Sequence, residues 1–145
     1  MSKKNLVVTA SMVLGMIAVH GIALAHGTNK HDNMVPSDAQ MKKLHAIMPM
    51  FSLATANMEI ALEKGEITAL KLEADKITSA IPELKKSKPH KNINQRSKFV
   101  EHASNLERAV TTVVDLAKNG DLAEAKTAYK AVEVACAACH AKFRD

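Results

Sequence analysis

Apolar and small side chains recur along this chain at alternating intervals of three and four, the period of a helix that buries one face. Met41, Leu44, Met48, Phe51, Thr55, Met58 and Leu62 form a first seam, and Ile67, Leu70, Ala74, Ile77, Ile81 and Leu84 a second. Phe99, Ala103, Leu106, Val110, Val113 and Ala117 form a third, and Leu122, Ala125, Tyr129, Val132, Cys136, Cys139 and Phe143 a fourth. The punctuation between them fits. Ser37 reads as an N-cap with Gln40 closing a capping box, Gly65 as a helix stop, Asn119-Gly120 as another, and Asp121 with Glu124 as a second capping box. Pro82 is expected to kink the second helix or end it early, and Lys85 to Asn92, with four lysines, Pro89 and His90, reads as a solvated connection.

With no period-two strand pattern, the expectation is an all-α fold. Four seams joined by three short connections hide themselves by packing together, as an antiparallel up-down-up-down four-helix bundle over residues 37–145. That topology gathers the start of the first helix, the lysine-rich connection and the end of the fourth helix at one end of the bundle.

The residues before the bundle carry a different signal. Lys3-Lys4, an apolar run from Leu6 to Leu24 and the small-residue end Ala23-Leu24-Ala25 match a secretory signal peptide over 1–25, followed by a flexible lead-in over 26–36. The run approaches the length of a membrane anchor, but Thr9, Ser11, Gly15, His20 and Gly21 weaken that reading. The expectation is therefore export with no stable membrane insertion after cleavage. The formal charge is +5, from 20 basic and 15 acidic residues, and losing Lys3 and Lys4 leaves about +3. Such a mild balance, with no Trp, one Tyr and three Phe, does not fit nucleic-acid binding.

Chemistry concentrates near the C-terminus, where Cys136-Ala137-Ala138-Cys139-His140 is a C-x-x-C-H sequence, the signature of c-type haem attachment. On a helix, residues three apart share a face, so both thiols can add to the two vinyl groups on one porphyrin edge while His140 turns its imidazole to the iron. Two other uses of this sequence have to be weighed. A thioredoxin-like pair wants a βαβ setting that this pattern lacks, and a zinc site wants four ligands where the segment offers three.

The C-terminal C-A-A-C-H-A-K-F-R on a last bundle helix, with Asn119-Gly120-Asp121-Leu122 at the junction before it, resembles the cytochrome c-prime family. It is also similar to the four-helix b-type cytochrome of the periplasm. The resemblance covers the bundle in architecture and about the last 45 residues in sequence. It implies one covalently attached haem c per chain, a periplasmic location, no enzymatic turnover, and His140 as proximal iron ligand. Phe143 is expected to pack against the haem-bearing turn, and Arg144 matches the family's basic residue near the proximal histidine.

In that family the first helix supplies the sixth iron position, where Leu leaves iron open to small gases and Met closes it for electron transfer. Counting back from Gly65 places that position near 48 to 49, which makes Met48 the expected distal ligand, with Met41 and His45 as runners-up and Met50 pointing away. Met48 also suits a plain core role, since Met41 and Met58 share its stripe, and Pro49 should bend the helix beside it. The leading function is one-electron transfer between redox partner proteins. The alternative is a five-coordinate haem protein that binds nitric oxide or carbon monoxide, and a third, weaker reading is metal handling through His26, His31 and exposed methionines. Lys85, Lys86, Lys88 and Lys91 are either an ordinary soluble loop or a surface that steers an acidic partner toward the haem end. Homodimerisation is common among relatives, but no helix face here is marked for it.

Overall fold

The computed structural model describes residues 39–144. The expected signal peptide, the lead-in and the Ser37 cap lie outside the described residues. Within them the chain forms α1 (Ala39–Lys64), α2 (Ile67–Lys86), α3 (Arg96–Lys118) and α4 (Leu122–Phe143). Each helix packs on its neighbour in sequence and α4 returns to α1, so the four close an antiparallel ring around one apolar core. The α1–α4 pairing is the loosest of the four. Among the described residues no helix is long and apolar enough to cross a membrane.

The seams of α2, α3 and α4 are buried nearly as their spacing predicts; Ile67, Leu122 and the two cysteines are half-buried. In α1 Leu44, Phe51, Met58 and Leu62 are buried as predicted, but the stripe is wider on one flank, where Ile47, Ala54 and Ala61 are also inside, whereas Met41, Met48 and Thr55 are only half-covered. Met50 also packs on the core rather than pointing clear of it. Gly65 and Gly120 take φ of +70° and +89°, the left-handed conformation that stops a helix and that residues with a Cβ resist.

Three local expectations are corrected. Pro82 does not end α2, which runs on to Lys86; its ring faces solvent while Ile81 and Leu84 on either side are buried, so core packing outweighs one missing backbone bond. Asp121 makes no side-chain cap, and α4 starts instead from the Gly120 turn, where the Asp121 amide donates to the Leu116 carbonyl at 3.0 Å. The connection after α2 is more than a solvated strap. Ser87 is fully buried and donates to the Leu84 carbonyl at 2.7 Å, and the Arg96 guanidinium donates to the carbonyls of Ser87 and Lys85.

Candidate functional site

The last turn of any α-helix has carbonyls with no helical partner, and at the end of α4 the connection supplies donors for two of them. The Lys91 amide donates to the Phe143 carbonyl at 3.2 Å, and the Asn92 side-chain amide to the Lys142 carbonyl at 2.6 Å. Asn92 takes φ of +53° to make this turn, a conformation that Asn tolerates better than most residues. The connection between α2 and α3 is thereby pinned across the end of the cysteine-bearing helix. These contacts bring the connection and α4's end together as predicted, and the Lys43 ammonium, which donates to the Glu83 carboxylate at 2.6 Å, ties the start of α1 to the end of α2 that leads into the connection.

Between them lies a cavity of about 460 Å³, open where α1 and α4 part. Leu44, Met48 and Pro49 of α1 form one wall, Cys139, His140 and Phe143 the opposite one, and Pro89 and His90 close the connection side. A second space of about 190 Å³ continues inward between Met48, Thr55, Cys136, Leu106 and His102. Met48, Ser52, Leu84, Cys139 and His140 border both. The total falls in the ordinary range for a cofactor site, with apolar walls and few polar groups.

Phe143 is buried and meets the Phe99 ring edge-on at 5.2 Å and the His102 ring at 5.7 Å. It therefore wedges the end of α4 against α3 and fixes the turn that carries His140. Both cysteines are unpaired and half-buried. Burial, and secondarily the neighbouring Glu133 charge, raises the Cys136 thiol above its usual range. Burial together with Cys136 pushes Cys139 up to about 11. At neutral pH both are thiols rather than thiolates, which is opposite to the tuning of a thiol–disulfide exchange site. Burial, then the Arg144 charge, lowers the His140 pKa below the ordinary imidazole range. A neutral imidazole with an available lone pair is the ligating form.

The arrangement fits haem on its own residues: half-buried thiols three apart along one face, a neutral histidine at the cavity edge, apolar walls, and a thioether across the gap. Of the candidates for the sixth position, Met48 borders both spaces with His140, His45 borders only the outer one, and Met41 borders neither. Met48 lies at the flank of the buried α1 stripe, half-covered and lining the cleft. Pro89, His90, Ser52 and His102 also line the site and were not singled out from sequence. His90 carried a legible signal, a histidine in the connection that topology brings to the cysteine end.

A family model described as cytochrome c′ matches residues 79–144, from the second half of α2 to the residue after α4. The match contains Cys136, Cys139 and His140 and leaves α1 outside it. No match was found among curated proteins or among solved structures.

Proposed function

We propose that this chain, which belongs to the cytochrome c′ family, is a periplasmic monohaem cytochrome that passes single electrons between partner proteins, with Met48 as distal ligand. The family carries haem c. In this chain Cys136 and Cys139 would hold it by thioether bonds, and His140 would bind the iron from the proximal side. When bound, the group supplies a one-electron couple whose potential is set by axial ligands, burial and nearby charge.

The protein's part is positional. Phe143 and the pinned connection hold His140 at the end of α4, and Leu44, Leu84 and Phe99 exclude water from the apolar wall. Lys85 and Lys86 are engaged by Glu107 at 2.7 Å and Glu83 at 3.2 Å. The steering charge for an acidic partner therefore shifts to exposed Arg144, which lines the cavity, and to exposed Lys91, which follows the lining residue His90 in the chain.

The observation that favours electron transfer over gas binding is the position of Met48, a soft thioether donor bordering both spaces that His140 borders. Absorption spectra of the ferric protein test it. A low-spin spectrum with a methionine–iron charge-transfer band is expected. A high-spin ferric spectrum, with a ferrous form that takes up nitric oxide or carbon monoxide at once, would instead establish the gas-binding alternative.

A further inference from the structure

At the mouth of the outer cavity, His45 of α1 and His90 of the connection bring their Nε2 atoms to 3.2 Å, while the ring centroids stand 5.1 Å apart. The ring planes are inclined by 25° and the nitrogens are closer than the centroids, so the two rings approach each other through their Nε2 atoms, at hydrogen-bond distance. Two imidazoles bound to one four-coordinate ion at ~2.0–2.1 Å would set their nitrogens about 3.3 Å and their centroids about 5 Å apart. We propose that His45 and His90 form a site for a single borderline divalent cation, copper(II) or zinc(II), at the edge of the cleft.

The surroundings narrow the choice of ion. Arg144 and His140 line the same cavity, Lys91 follows His90 in the chain, and no carboxylate lines the cavity among the described residues. A hard cation such as calcium or magnesium, held by charged and carbonyl oxygens, finds nothing here. Ions that bond strongly to neutral imidazole tolerate a cationic neighbourhood better, and of these copper(II) stands highest in affinity. No group of three or more His, Cys, Asp or Glu side chains gathers among the described residues, so water completes the coordination. The ion would tie α1 to the α2–α3 connection across the opening.

The test is titration of the intact, oxidised, haem-loaded protein with zinc by calorimetry and with copper(II) by electron paramagnetic resonance. One equivalent is expected, with the copper signal split by two imidazole nitrogens. H45Q and H90Q should each weaken binding by on the order of tenfold or more, and H26Q/H31Q should leave it intact. Unchanged affinity in H90Q and H45Q overturns the proposal, and so does loss of binding in H26Q/H31Q, which would place the ion on the N-terminal segment. If H45Q converts the haem spectrum to high spin, His45 belongs to the iron and the site does not exist as proposed. H90Q, altered in the connection rather than in a helix, guards against a folding artefact in H45Q.

Discussion

Replacing Tyr129 by Phe should reverse its effect on stability as pH rises. The Tyr129 hydroxyl donates to the Thr55 carbonyl at 2.6 Å, a bond from α4 to α1 across the loosest side of the bundle. The ring is buried and Phe fills nearly the same space, so at neutral pH the substitution removes one hydrogen bond, worth about 1 kcal/mol. Burial first, then the charges of Glu59 and Glu133, pushes the Tyr129 pKa up to about 12. An unfolded tyrosine titrates near 10. Between those values the unfolded chain has released its proton while the native chain retains it, so wild-type stability falls with rising pH, by about 2–3 kcal/mol over the window. Lysines titrating in the same range are common to both proteins and cancel in the difference. Wild type should therefore be more stable than Y129F by about 1 kcal/mol at pH 8 and less stable by about 1–2 kcal/mol at pH 12. Urea unfolding followed by far-ultraviolet circular dichroism at pH 8, 10, 11 and 12 measures it. A difference that stays constant across this range would refute the burial of the phenol and its link to Thr55.

Met48→Leu should convert the ferric protein from low to high spin and open the iron to carbon monoxide in the ferrous form, read by absorption; an unchanged low-spin spectrum would remove Met48 as ligand. Cys136→Ser should leave haem held by a single thioether, giving a shifted pyridine haemochrome band, whereas a wild-type band would show that Cys136 takes no part in attachment. Phe143→Ala should cost about 3–5 kcal/mol, since it empties a buried aromatic site packed on Phe99 and His102, and unfolding in urea measures this. Lys91→Glu should slow electron exchange with an acidic partner at low ionic strength and flatten its salt dependence; rates equal to wild type at every salt concentration would remove Lys91 from the docking face.

The parts of this molecule legible from sequence are those where one helix face meets one continuous core. α2 and α3 are such helices, and their seams, from Leu70 to Leu84 and from Phe99 to Ala117, are buried residue for residue. α1 is not, because half of its apolar side faces α2 and the other half faces the cleft. A seam drawn down the middle of that side captures the buried Leu44, Phe51, Met58 and Leu62 but also includes Met48 and Thr55, which border open space, and passes over Ile47, Ala54 and Ala61, which are buried too. Spacing alone cannot separate a residue that faces a neighbouring helix from one that faces a cofactor, since both are apolar and lie within one turn of each other. The same limit explains the connection. Its lysines and its one proline read as solvated, yet Ser87 and Pro89 are buried and Lys91 and Asn92 serve carbonyls of α4, fifty residues away in the case of Asn92. Those bonds arise from unpaired backbone groups at a helix end, which every sequence has and none displays. They also carry a consequence for His140. Its turn is held by the packing of Phe143 and by the docked connection, so substitutions at Asn92 or Phe99, neither in the C-x-x-C-H sequence, should loosen the turn that carries His140, and the absorption spectrum of the haem-loaded protein measures this.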